Sequence, residues 1–490
     1  MRAHRKSPSR PAGTGGPGRM AAAALAAAAL LVACAWASAP PGRLPRHNPT
    51  PEPSFAVAPA GWKAADGIVR PVAPDLDPDA PAADREAIAD LAAAHLGAAQ
   101  VGAVSAAVRD LTSGDDLFAA GSGQALAPAS TVKILTAVAA LEVLGPSAAL
   151  TTAARWSPTS PTSGVVTLVA GGDTTLSPDA ALPGEVMGRS GMGELARATA
   201  VELRRRGVES VEVRLDDTIF AGPALLPDWQ WSLGTTWGAP TTPLAVLDGR
   251  AGADADATTY LADPALAAAE RFFGLLAAAG RDTSLALPTF QVTGAVTRAA
   301  GGPADEALAS VESAPIQELV AHMLRASDNT LAEALGRMTA VALGLPGSFE
   351  GCAAAVGRAL AELSLPTGGL RLEDCSGLSH GSAVSASTLV AALALSAGPD
   401  AGELGAVARS LPAGALQGTL AHRFNETPAA GNLRAKTGTL TGVTALAGLV
   451  QTAGGRELVF AILANPDQTI WTDSARQSVD RFAAGLAALP

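Results

Sequence analysis

Three apolar runs close to the C-terminal end, residues 432–440, 443–452 and 457–464, are separated only by Thr441-Gly442 and by Ala453-Gly454-Gly455-Arg456. Links this short join antiparallel neighbours, because a parallel crossover needs a dozen residues or more. The end of the chain is therefore expected to be an antiparallel meander. Thr472 is placed to cap a last amphipathic helix through Val479, Phe482 and Leu486. Upstream, residues 84–98 have the pattern of an amphipathic helix opening the fold. Residues 101–109 and 117–120 read as a strand pair turned at Ser113-Gly114-Asp115-Asp116. Residues 130–144 are helical, with Ile134, Val138, Leu141 and Leu144 at helical spacing, and 313–345 are helical again. A helix from each end laid on a late antiparallel sheet, with further helices on the other face, is an α+β arrangement. From about 149 to 312 the texture changes to short strands, Gly/Pro turns and Trp156, Trp229, Trp231 and Trp237, the signature of an inserted, mostly β region.

A chain of 490 residues exceeds one core, and 16% charged residues with 48% hydrophobic ones excludes a disordered polymer. The formal net charge of −11 argues against nucleic acid as a partner. Six histidines, His4, His47, His95, His322, His380 and His422, are scattered without an HExxH or CxxC motif, so neither a metal nor another cofactor is expected. The 34 cations include only four lysines: Lys6, Lys63, Lys133 and Lys436. Arginine stays protonated in proteins, whereas a buried lysine can lose its proton and act as a base. The lysines retained in an arginine-rich chain are therefore candidates for chemistry.

Residues 1–19 carry Arg2, Arg5, Lys6, Arg10 and Arg19 and no acid, and residues 20–39 follow without a charge. A basic stretch before an apolar one is a secretory signal or a membrane anchor. Leu31-Val32-Ala33-Cys34 resembles a lipoprotein cleavage box that would lipidate Cys34, and Ala35-Trp36-Ala37 is a competing ordinary cleavage site. Lipid anchor, retained anchor and release all remain open, and membrane contact is expected only through this segment. Its removal takes the net charge from −11 to −16, so charge would not hold the exported part on an anionic envelope. Residues 40–82 hold eleven prolines and form a stiff linker, reaching at most about 130 Å. In an exported chain Cys352 and Cys375 are expected to pair, closing a modest loop, with two buried free thiols as the alternative.

Pro128-Ala129-Ser130-Thr131-Val132-Lys133 puts a serine at a helix start and a lysine one turn on, where its amine can reach the hydroxyl. A serine is a poor nucleophile until a neighbouring base takes its proton. Free N–H groups at the helix start can receive a developing oxyanion. Ser327-Asp328-Asn329 lies inside the helical stretch 321–337, as a polar break between two helices. Lys436-Thr437-Gly438-Thr439 lies on the first strand of the meander. There a lysine and a threonine can grip a carboxylate, and the glycine lets backbone approach closely.

SxxK, SDN and KTG in this order, each in helix, loop or strand context, are the motif set of the penicilloyl-serine transferases, which this sequence resembles. Ser130 and Ser327 are 197 residues apart, as in the class C low-molecular-mass penicillin-binding proteins, the D-alanyl-D-alanine carboxypeptidase/endopeptidases, which carry a long insertion there. Gly171-Gly172-Asp173-Thr174-Thr175-Leu176, Asp216-Asp217-Thr218-Ile219-Phe220 and Asp374-Cys375-Ser376-Gly377-Leu378-Ser379 extend the resemblance over residues 84–488. The family usually has Pro at the place of Thr174, Gly at Cys375 and Arg at His380, so details of the insert and cleft rim depart from its pattern.

The resemblance implies a penicillin-binding/β-lactamase-like transpeptidase fold, with a catalytic domain in 83–148 and 313–490 and an insert in 149–312. It implies a serine D-Ala-D-Ala carboxypeptidase, with cross-link endopeptidase action as a second use of the same site. Ser130 would attack the carbonyl between two D-alanines of a peptidoglycan stem peptide, with Lys133 as base. Ser327 would relay the proton to the leaving amine, and Asn329 would orient Lys133 and the substrate amide. Lys436 and Thr437 would hold the terminal carboxylate, and the N–H groups of Ser130 and Thr439 would form the oxyanion hole. β-Lactams would acylate Ser130.

Three other readings compete. Gly377-Leu378-Ser379-His380-Gly381 fits the GxSxG elbow of an α/β-hydrolase-type esterase, with His422 as the only later histidine. A β-lactamase would need a glutamate to drive deacylation, and none is identifiable. A non-catalytic protein that binds wall peptides or β-lactams would keep the motifs without turnover.

Overall fold

The computed structural model describes residues 80–490 apart from 230–236, 253–258, 285, 303–304 and 467–469. The basic and apolar leader, Cys34 and nearly all of the linker lie outside the described residues, as does Trp231. No described helix is long and apolar enough to cross a membrane.

The expected meander forms. Strands β8 (Leu433–Leu440), β9 (Val443–Gln451) and β10 (Glu457–Asn465) run antiparallel and continue into β1 (Ala103–Asp110) and β2 (Asp116–Ala120), in the order β8-β9-β10-β1-β2. The two-residue link places Leu440 opposite Val443, with Gly442 at a φ of 71° that its missing Cβ permits. β9 and β10 are buried at almost every position because helices cover both faces of the sheet. On one face α1 (Arg85–His95) and α9 (Thr472–Ala487) pack Ile88, Val479, Phe482 and Leu486 against Leu446, Phe460 and Ile462. On the other, α2 (Lys133–Leu144) packs Ile134, Leu135 and Val138 into a core with α5 (Ile316–Ala326), α6 (Asn329–Ala342), α7 (Phe349–Glu362) and α8 (Ala386–Ala397). Residues Lys133 to Leu141 of α2 are all buried, so this helix is central to the core.

Strand β8 is an edge strand. Its first half is covered by the segment 412–414: Gly414 N–H donates to Leu433 C=O at 2.8 Å, and Ala435 N–H donates to Pro412 C=O at 3.0 Å. From Lys436 onward no such backbone partner is found on the outer edge among the described residues.

Between α2 and α5 a second sheet runs in the order β7-β3-β4-β5-β6, with β3 (Thr151–Pro158), β4 (Ser163–Val169), β5 (Ser210–Asp216), β6 (Gln291–Arg298) and β7 (Glu306–Glu312). β4, β5 and β6 pair in parallel, and the connections carry α3 (Met192–Arg205) and α4 (Pro264–Arg281). These helices of 14 and 18 residues make the stretch less purely β than expected. Their apolar faces, Leu195, Leu203, Phe272 and Leu276, join Val166, Val211 and Leu215 in a separate core.

Thr472 does not cap the last helix. The N-cap is Trp471, without a side-chain bond, and the Thr472 hydroxyl instead accepts from Gly442 N–H at 3.2 Å, fastening the β8–β9 turn. The disulfide expected between Cys352 and Cys375 is absent as well. Both are free, buried thiols. Cys352 Sγ donates to the Phe349 carbonyl of its own helix at 3.2 Å, and the two sulfurs lie within 4.8 Å of each other beside Glu333.

Candidate active site

Ser130 sits in a 3₁₀ turn, Ala129–Val132, that runs directly into α2, so Lys133 is the first residue of the α-helix. This tight entry holds Ala129 at a φ of 45°, and it packs under β8. A Cβ built on Gly438 would stand 2.7 Å from Pro128 O, and one on Gly377 2.0 Å from Ala129 O. Both glycines let neighbouring backbone close around the serine.

Lys133 has no exposed surface, and its ammonium donates to Ser130 Oγ at 3.0 Å, Asn329 Oδ1 at 2.6 Å and the Ser376 carbonyl at 2.6 Å. Burial lowers its pKa to about 8; Asp374, Glu333 and Asp328 pull in the opposite direction. Lys436, equally buried, donates to Ser327 Oγ at 2.8 Å and to the Thr437 carbonyl at 3.0 Å. Burial, then Lys133, then Arg423 drive its pKa well below that of an ordinary lysine. Thr437 Oγ1 donates to Thr419 Oγ1 at 3.1 Å. Gly438 is buried, and Thr439 is exposed beside it on β8.

Ser327 ends α5 in the left-handed region, φ 58°, and turns the chain so that Asp328 can cap α6 by accepting from Leu331 N–H at 3.0 Å. The SDN segment thus breaks two helices, and it carries the serine to Lys436 and the asparagine to Lys133. Asn329 Nδ2 donates to the Trp237 carbonyl at 2.5 Å. All three motifs meet in one place, linked by hydrogen bonds.

Four supporting groups escaped the sequence reading. The Ser376 carbonyl lies in the segment Asp374–Ser379, which has no signal beyond the family resemblance. Glu333, one turn beyond Asn329, accepts from the Cys375 and Ser376 N–H groups at 3.0 and 2.7 Å. Burial, then Asp374, raises its pKa to about 7. Asp374, fully buried, accepts from Gly377 N–H at 3.0 Å, Ser379 N–H at 2.6 Å and Trp229 Nε1 at 3.3 Å, shaping the loop under Lys133. Asp248 is the fourth: a buried carboxyl whose pKa is driven well up by burial and by Asp328. No local motif marks Glu333 or Asp248.

Ser379, the nucleophile of the esterase reading, is wholly buried. Its hydroxyl lies 2.7 Å from Asp228 Oδ2 and 2.6 Å from Glu373 Oε2 and accepts from Gly381 N–H, with no imidazole among these partners. An elbow serine needs an exposed Oγ and a histidine base. Its GxSxG pattern is a turn of the loop that supports Lys133.

The sequence profile of the D-Ala-D-Ala carboxypeptidase 3 (S13) family matches residues 87–272 and 274–486. Carboxypeptidase DacB of Mycolicibacterium smegmatis is 35% identical over 439 residues, covering 88% of this chain and 90% of its own length. A D-alanyl-D-alanine carboxypeptidase of an Actinomadura species is 30% identical over 445 residues, 74% of this chain and 78% of that protein. Among solved structures, penicillin-binding protein 4 of Haemophilus influenzae shares the fold, with a TM-score of 0.66 and 20% identity over 81% of this chain and 98% of that one. A further structure of that protein holds a β-lactam. Sequence, fold and motif geometry agree, and the chain belongs to the D-Ala-D-Ala carboxypeptidase 3 (S13) family, the class C low-molecular-mass penicillin-binding proteins.

Proposed function

We propose that this serine-type D-Ala-D-Ala carboxypeptidase works on peptidoglycan stem peptides, outside the cytoplasm, through an acyl-enzyme on Ser130. The observation that carries the reading is the position of one amine: Lys133 Nζ lies within hydrogen-bond reach of both the Ser130 hydroxyl and the Asn329 amide. In its neutral form that amine takes the Ser130 proton as Oγ bonds to the carbonyl carbon of the penultimate D-alanine. The charge gathered on the carbonyl oxygen is received by the N–H groups of Ser130 and Thr439. The C–N bond then breaks, and the leaving amine of the terminal D-alanine takes a proton through Ser327, which Lys436 holds at 2.8 Å. Lys436 and Thr437 bind the free carboxylate of that residue, and its negative charge favours the protonated form of the buried lysine. Water hydrolyses the ester, returning the Ser130 hydroxyl and its proton. A β-lactam, with its own carboxylate and strained amide, enters the same sequence and stalls at the ester.

The catalytic unit in this reading comprises residues 83–148 and 313–490, with 149–312 as an insert. The test is D-alanine release from a stem pentapeptide, with Ser130→Ala beside the native protein. Release by the native protein and none by the variant supports the proposal, as does a penicilloyl mass adduct only on native Ser130. Release that survives in Ser130→Ala overturns it. A cross-linked dimer as second substrate distinguishes endopeptidase from carboxypeptidase use.

A further inference from the structure

Asp248, His322 and Asp328 come from three separate places: the 3₁₀ turn Leu247–Gly249, helix α5 and the turn into α6. One ligand atom from each, two carboxylate oxygens and a ring nitrogen, lies within 4.8 Å of the others. Asp248 is 1% exposed and Asp328 8%. Asp328 Oδ1 is occupied by Leu331 N–H at 3.0 Å, and Asp248 Oδ1 by the Thr174 hydroxyl at 2.7 Å. Asp248 Oδ2 is fully buried with no hydrogen-bond donor, and the Asp248 side chain meets the Asp328 carboxyl. A buried carboxylate oxygen without a donor is strongly disfavoured, so two facing carboxyls must share a proton or a cation. A second carboxylate alongside it adds repulsion.

His322 Nε2 and Asp328 Oδ2 are 3.9 Å apart, too far for a hydrogen bond. That distance can be spanned by an ion about 2.1 Å from each, the usual length of bonds from zinc to imidazole nitrogen and carboxylate oxygen. Tetrahedral ligand atoms at that radius stand about 3.4 Å apart, so a cluster spread as wide as 4.8 Å would contract by up to about 1.4 Å on loading. His322 is 29% exposed at its side chain and also lines a surface cavity of about 420 Å³, so solvent reaches its ring. Two carboxylates and one imidazole suit a divalent transition-metal ion such as zinc. We infer that Asp248, His322 and Asp328 form a divalent metal site that fastens the 149–312 region to the SDN turn. Asp328 lies between Ser327 and Asn329, so the ion would act as a positioning element for both without touching substrate. The scattered histidines gave no hint of it because the partners are 74 and 80 residues from Asp248 and share no motif.

The test strips the purified full-length protein with a chelator and titrates it with zinc by calorimetry, with metal content measured by mass spectrometry. Native protein is expected to take up one equivalent with a dissociation constant at or below about 10 μM. Asp248→Asn and His322→Ala, each checked for native circular dichroism, are expected to weaken that uptake by about 100-fold. The partly exposed histidine position keeps the test meaningful should the buried Asp248 variant fail to fold. Absence of saturable uptake in the native protein, which would leave the carboxyl pair sharing a proton, overturns the inference. So does undiminished uptake in either folded variant. The readout is metal stoichiometry, so it stands or falls separately from Ser130 chemistry.

Discussion

In the proposed mechanism Lys133 must be neutral to accept the Ser130 proton, so the rate of acylation should follow its titration. With a pKa of about 8, the neutral fraction is about 1% at pH 6, about 10% at pH 7 and half at pH 8. Acylation at saturating β-lactam is therefore expected to rise about tenfold from pH 6 to 7 and about fivefold from pH 7 to 8, levelling above pH 9. Saturation matters, because in the proposed complex the bound carboxylate favours the charged form of Lys436 and leaves Lys133 as the group that titrates. Stopped-flow quenching or acylation of a fluorescent penicillin gives the rate at each pH. Glu333→Gln sharpens the test, since the Glu333 charge raises the lysine pKa; its removal should move the midpoint to lower pH and speed acylation at pH 7. The sign for stability is the reverse of a salt bridge. A folded-state pKa below the unfolded 10.5 means that the buried ammonium destabilises the fold below pH 8, by about 3 kcal/mol, and that this penalty is relieved between pH 8 and 10.5. A rate that is flat between pH 6 and 8, or a midpoint near 10, refutes the assignment of Lys133 as base.

Lys436→Met should lower kcat/KM for a D-Ala-D-Ala peptide about 10–100-fold, the value of a charged hydrogen bond, while a C-terminally amidated peptide loses little more. Equal losses on both peptides would remove the carboxylate role. Gly438→Ala places a methyl 2.7 Å from Pro128 O and should destabilise the protein by about 1–3 kcal/mol in urea denaturation while also slowing acylation; native stability would show that the packing of β8 on the Ser130 turn is loose. Ser379→Ala should leave penicillin labelling of Ser130 in place, and loss of labelling in a folded Ser379→Ala protein would return the esterase reading to contention.

Local chemistry made much of this molecule readable. Thr441-Gly442 could only reverse the chain, so the meander and its register followed, and Ser130 and Lys133 were one helical turn apart whatever the rest of the fold did. The break at Ser327 was legible for the same reason, since Ser, Asp and Asn compete with helix hydrogen bonds. What stayed hidden depends on distant packing. The Lys133–Ser376 bond spans 243 residues, and Glu333 supports that loop from a helix face on which nothing marks it as special. Helices α3 and α4 were masked by the Gly/Pro turns and tryptophans around them. Thr472 satisfied the rule for a cap, but its hydroxyl went to a neighbouring turn. Cys352 and Cys375 were rightly placed together, yet proximity alone did not decide their bonding.

The covered start and open remainder of strand β8 have a further consequence. Among the described residues the protein's own chain supplies a backbone companion as far as Ala435 and stops where Lys436 begins. An extended ligand lying beyond that point can complete the ladder as an added strand, offering main-chain amides with its carboxyl end directed toward the lysine. Recognition of this kind measures how a peptide terminates and tolerates variation in its side chains, so a single cleft could trim peptides of differing composition provided each finishes in the same way.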